Sequence, residues 1–191
     1  KLNCACAAAL TNLAFLVISS SCFARILFNS SFAAEIGVFP GIVLLLTQVF
    51  SANARSLLLY NIDSKFYDQV INIRFYVGIS ILLVLTSYQY LFSNTENFIT
   101  LSILSFIVYF SWINEINLAI HEKNRSSLII KFFLMISVLF YILMMVNFIL
   151  EDNNLLDVLK FYMLFHVLFF LYHINLQNFN IKNFIQYFKN Q

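Results

Sequence analysis

Residues 36–54 read IGVFPGIVLLLTQVFSANA, a stretch without a single Asp, Glu, Lys or Arg. A helix needs roughly 20 mostly apolar residues to cross about 30 Å of hydrocarbon. Within the stretch, Ile42-Val43-Leu44-Leu45-Leu46 is solidly apolar. A membrane β-strand would instead alternate over about ten residues. Backbone immersed in lipid must satisfy its own hydrogen bonds, which leaves the helix as the reading.

The pattern recurs along the chain. Residues 2–24, 75–95, 97–114, 132–150 and 161–181 are equally free of charged side chains. The fold expected from these runs is all-α. It is a polytopic membrane protein with six transmembrane helices in one bundle. The expected spans are about 6–28, 36–54, 71–92, 98–120, 128–150 and 156–176. Together they make one bundle over residues 1–176, with no room for a soluble domain. Residues 177–191 carry Ile181, Phe184, Ile185 and Phe188 on one face, with Lys182 and Lys189. They read as a cytoplasmic amphipathic tail, or as a linker to a missing second lobe.

Composition supports this class. Of the 191 residues, 61% are hydrophobic and 10% are charged, against about 25% charged in an ordinary globular domain. So few charges do not make a water-soluble surface. Three cysteines, an odd number, supply no disulfide framework.

Charge sets the expected orientation. With the N-terminus in the cytoplasm, the inner segments hold Lys1, Arg55, Lys65, Arg74, Lys123, Arg125, Lys131, Lys182 and Lys189. The outer loops then hold only Arg25 and Lys160. Cytoplasmic loops carry the excess of Lys and Arg, so both termini are expected inside. A cleaved signal peptide is the competing reading of the first run, since Lys1 precedes an apolar stretch. The chain opens on Lys1 rather than Met, which makes a processed product or a piece of a longer gene the expectation.

Polar groups inside spans face the bundle interior or a wet path. Gln48, Ser51 and Arg55 sit at i, i+3 and i+7, one stripe ending in a cation at the inner mouth. It reads either as a cavity wall or as interhelical hydrogen bonding with a snorkelling arginine. Tyr162, His166, His173 and Gln177 form a second stripe, within about 60° of arc. His166 and His173 are about 10 Å apart along the axis, too far to share a metal ion. Asn114, Glu115, Asn117 and His121 cluster towards the inner end of the fourth span. Glu115 is either interfacial or inside a wet cavity, where Arg55 or Arg74 would pair with it. Arg25 either balances Glu35 or meets an anion at the outer mouth. Asp157 and Lys160, three apart, read as a local ion pair, and His121-Glu122-Lys123 as an ordinary cytoplasmic loop. Asp63 is a candidate N-cap, which starts the third helix near Ser64.

No Walker A, GxSxG or HExxH motif is present, and the connections are short. No catalysis, cofactor, metal or nucleic-acid partner is therefore expected. Transport, or a helper role in a membrane complex, remains.

Two segments carry a resemblance. Phe23-Ala24-Arg25-Ile26-Leu27, then Phe32 and Glu35-Ile36-Gly37, is similar to the opening of polysaccharide flippases. Asn53-Ala54-Arg55-Ser56-Leu57-Leu58-Leu59 resembles the cytoplasmic end of the second helix in O-antigen flippase-like proteins, and Arg74 a basic residue that follows there. This family belongs to the multidrug/oligosaccharidyl-lipid/polysaccharide exporter superfamily, whose fold is two six-helix lobes around a cavity. The resemblance implies the N-terminal lobe of such a transporter in a bacterial inner membrane. It also implies an undecaprenyl-diphosphate-linked oligosaccharide as cargo, moved by alternating access. The partners implied are membrane lipids, the anionic lipid-linked glycan, and a second lobe or a second copy of the chain. Arg25, Arg55 and Arg74 are the implied diphosphate ligands, since Arg binds phosphate in bidentate fashion. Gln48, Ser51, Asn114 and Asn117 are candidates for sugar hydroxyls, and Glu115 and His166 for ion coupling. Competing readings are a drug or solute transporter of the same superfamily, a membrane polymerase or acyltransferase fragment, and an accessory membrane protein.

Overall fold

The computed structural model describes residues 64–92, 95–124, 126–150 and 155–173, with Ile42, Val43, Leu45, Leu46, Thr47, Val49 and Leu59. Four helices account for nearly all of it: α1 (Ser64–Phe92), α2 (Thr95–Lys123), α3 (Ser127–Leu150) and α4 (Leu155–His173). The six isolated residues between 42 and 49 are helical as well. The expected first span, Asp63 as N-cap and the tail 177–191 lie outside the described residues.

Three stretches are long and apolar enough to cross a membrane: Tyr67–Tyr88, Phe98–Lys123 and Leu156–His173. In α3 the segment Ser127–Phe140 is apolar but shorter. The described residues are thus those of an all-helical protein with three candidate membrane spans. The helices are apolar nearly all round, as expected of helices that meet lipid on one side and neighbours on the other.

Helix α2 is the centre. It packs against α1, α3 and α4, while α3 also packs against α4. Over the most apolar 18 residues of its candidate span 67% are buried, against 33% in the corresponding window of α1 and 28% in that of α4. Small side chains permit this close approach. Ser105 and Ser111 of α2 are buried, and the Ser105 hydroxyl donates back to the Leu101 carbonyl at 2.9 Å. The closest approach is between α1 and α2 at Gly78. A Cβ placed there would stand 2.0 Å from Cε2 of Tyr109. The Tyr109 ring lies across the glycine, and its hydroxyl donates to the Phe75 carbonyl at 3.0 Å.

Among the described residues three apolar clusters join the helices. The first joins Val43 to Leu85 of α1, Leu101, Leu104 and Ile107 of α2, and Leu159 and Tyr162 of α4. The second sets Leu118 of α2 against Ile130 and Phe133 of α3 and Phe169 of α4. The third brings Leu82, Tyr109, Trp112, Ile113 and Phe170 together. Phe75 and Phe170 stack there at 6.2 Å between centroids. Outside these clusters Leu128, Phe132, Met135 and Leu139 of α3 are exposed.

The end of α2 differs from expectation. His121, Glu122 and Lys123 are its last helical turn rather than a loop. The Asn124 N–H still donates to the Ile120 carbonyl, and the Ser126 N–H reaches back to the His121 carbonyl at 2.9 Å. This five-residue return satisfies an orphan carbonyl at the helix end. At the other end of the bundle, Lys160 and Asp157 form the expected exposed pair, 2.8 Å apart.

Candidate buried polar site

Two polar arrangements leave α2 on opposite sides. Trp112 and Glu115, three apart, face α1; Asn114 lies about 200° round the helix from Trp112 and faces α4.

On the first side stands Arg74 of α1, 1% exposed in its side chain. One guanidinium nitrogen, Nη1, lies 3.0 Å from Glu115 Oε2 and also donates to the Trp112 carbonyl. The guanidinium carbon sits 4.8 Å from the centroid of the Trp112 ring. One arginine therefore meets a carboxylate, a carbonyl and an aromatic face, all on a single turn of α2. Such a planar, weakly hydrated cation suits this set better than lysine would. The Glu115 side chain is 28% exposed, so the pair has one buried end and one accessible end.

Sequence reasoning placed Arg74 among the cytoplasmic cations. The structure instead sets it seven residues, about 10 Å, inside the candidate span that begins at Tyr67. Its charge is matched within the bundle by Glu115. Of the two partners considered for Glu115, the structure shows Arg74.

The second arrangement is a hydrogen-bonded chain. The Tyr67 hydroxyl donates to Asn117 Oδ1 at 2.8 Å. Asn117 Nδ2 donates to Asn114 Oδ1 at 3.4 Å. Asn114 Nδ2 donates to the His166 carbonyl at 2.9 Å and lies 3.3 Å from His166 Nδ1. Asn114, Asn117 and His166 are all buried, so α1, α2 and α4 are joined through the interior. Accepting from Asn114 leaves the His166 proton on Nε2. That atom is buried and has no hydrogen-bond partner among the described residues. The rings of Tyr162 and Phe133 stand edge-on to the imidazole at 4.7 and 5.5 Å.

The structure thus brings together five of the sequence candidates, Arg74 with Glu115, and Asn114 with Asn117 and His166. Arg25, Gln48, Ser51 and Arg55 lie outside the described residues, as does Gln177. Trp112 and Tyr67 were missed. Trp112 sits one helical turn before Glu115, and that spacing was the available signal. Also missed was the approach of His121 to His173, whose ring centroids are 4.6 Å apart. No family model matches this chain, and neither does a curated protein or a solved structure.

Proposed function

We propose that this chain is one lobe of a membrane transporter for an anionic lipid-linked oligosaccharide. The observation that carries the reading is Arg74, a buried arginine within a candidate span, whose partner Glu115 keeps one side exposed. Ionisable residues in spans are costly, face the interior and mark substrate or ion pathways. A diphosphate arriving at the Glu115 side competes for the guanidinium with chemistry the guanidinium already favours. Displaced, Glu115 becomes free to take a proton or a cation, which supplies a route to coupling. Asn114 and Asn117 are the sugar-facing candidates and His166 is a second coupling candidate. In this reading the full chain has six spans, lies in a bacterial inner membrane with both termini inside, and works with a second lobe or a second copy of itself. No covalent step is required.

Trp112 is the sole tryptophan, and Arg74 lies on its ring. Its fluorescence therefore reports the site directly. Titration of the detergent-solubilised full chain with a polyprenyl-diphosphate oligosaccharide is expected to change Trp112 emission saturably. Arg74→Lys should weaken binding about tenfold, since bidentate geometry is lost, and the uncharged polyprenol should have no effect. Unchanged emission together with no retained lipid would overturn the reading.

One observation favours a second reading. Asn114 and Asn117 spend their amides on each other, on Tyr67 and on His166, as polar groups do when they only hold helices together. An accessory membrane protein stabilised by such a network binds no glycan, and the same titration separates the two.

A further inference from the structure

We propose that His121 and His173 form an open two-imidazole site for a divalent transition-metal ion at the end of the α2–α4 pair. The histidines are 52 residues apart in sequence and come from different helices, yet their rings stand 4.6 Å apart at 82°. His173 Nδ1 lies 2.7 Å from the Phe169 carbonyl, which as an acceptor requires a proton on Nδ1. The proton is thereby fixed on that nitrogen, and Nε2 carries a bare lone pair. Metal-ligating histidines show this arrangement, with the non-ligating N–H anchored on a carbonyl. Nε2 of His173 is buried and has no hydrogen-bond partner among the described residues, and the same holds for Nδ1 of His121. Two buried, unpartnered imidazole nitrogens on neighbouring rings are an uneconomical arrangement for structure alone.

Neither ring is fully enclosed, since both residues are half-buried. Among the described residues no group of three or more His, Cys, Asp or Glu side chains converges. Among the described residues the site has two protein ligands, and its remaining positions would go to water or to an oxygen ligand. Imidazole donors of this kind suit Cu²⁺, Zn²⁺ and Ni²⁺, with Cu²⁺ bound most tightly. The sequence argument against a metal concerned His166 and His173 on one helix. The pair that meets is His121 and His173, and sequence spacing carries no information about it. This inference does not rest on the transport reading, because it uses neither the Arg74–Glu115 pair nor the asparagine chain.

The test is metal titration of the full chain in detergent, without a polyhistidine tag. Calorimetry with Zn²⁺ and electron paramagnetic resonance with Cu²⁺ are the readouts. One ion per chain is expected, with two imidazole nitrogens in the Cu²⁺ superhyperfine pattern. His121→Gln and His173→Gln should each weaken binding about tenfold or more. His166→Gln, whose imidazole is buried elsewhere, should leave it unchanged. Circular dichroism of each variant checks that the helices persist, and an unfolded Gln variant is replaced by Asn. Absence of saturable binding overturns the proposal. So does a single-nitrogen Cu²⁺ signal, or binding that survives both substitutions.

Discussion

At the residue scale the decisive side chain is Arg74. A buried ion pair is weak evidence of net stability, because desolvation of both charges offsets much of their attraction. Removing one member is a different matter, since the other is left without its partner. Arg74→Ala is expected to lower unfolding stability in detergent by about 3 kcal/mol, read from thermal or denaturant melts. The double replacement Arg74→Met/Glu115→Leu should recover most of that loss while abolishing any response of Trp112 to anionic lipid. A double variant as unstable as Arg74→Ala would mean that the pair itself, rather than the stranded charge, carries the energy. Asn114→Leu tests the interior chain at the same scale. It removes the donor to the His166 carbonyl and leaves Asn117 Nδ2 without its acceptor. Interhelical hydrogen bonds in membrane proteins are worth about 0.6 kcal/mol on average, so a loss of about 1 kcal/mol is expected from the two broken links.

At the element scale the tightest contact is the α1–α2 crossing at Gly78. Any side chain there meets the Tyr109 ring, which is tied by its hydroxyl to the Phe75 carbonyl. Gly78→Ala should therefore cost about 1–3 kcal/mol, the usual range for overpacking. Paired with Tyr109→Ala, which clears the space, it should cost little beyond the tyrosine deletion alone. A double-mutant cycle in melting temperature measures this coupling. That Gly78 matters could not be read from the sequence, where it is one of three glycines. A glycine inside an apolar run is equally consistent with a kink, a bulge or a close crossing, and the partner ring lies 31 positions away. Helix ends were more legible. The helix was expected from near Ser64, and the described part of α1 runs from Ser64. The three residues 121–123 were misplaced because a polar stretch between apolar runs reads as a loop, although Glu and Lys are good helix formers and α2 continues through them.

At the scale of the whole molecule, α2 is surrounded and α3 is peripheral. Slow amide exchange should therefore concentrate in Phe98–Lys123, with Ser127–Phe140 exchanging sooner, because protection follows the burial that must be undone to open a segment. Hydrogen-exchange mass spectrometry in detergent measures this. A bilayer-soluble photoreactive probe should label Leu128, Phe132 and Met135 in preference to Leu101, Ile107 and Ile113, which the bundle covers. Reversal of either pattern would mean that α2 is not the central helix.

What the sequence determined by itself was the helical structure of the described residues and an apolar character fit for membrane spans. Long uncharged runs are local facts, and lipid admits few conformations for them. The pairing of Asp157 with Lys160 was equally local, one helical turn on a single helix. The tertiary structure alone decided which polar residues meet. Arg74 and Glu115, Tyr67 and Asn117, Asn114 and His166, and His121 and His173 each come from two different helices. Their juxtaposition depends on how each helix is rotated and on its height against its neighbour. Those two quantities are set by side-chain packing at places such as Gly78 and Tyr109. A sequence nearly uniform in its apolar content leaves both open, because apolar side chains satisfy lipid and protein neighbours alike.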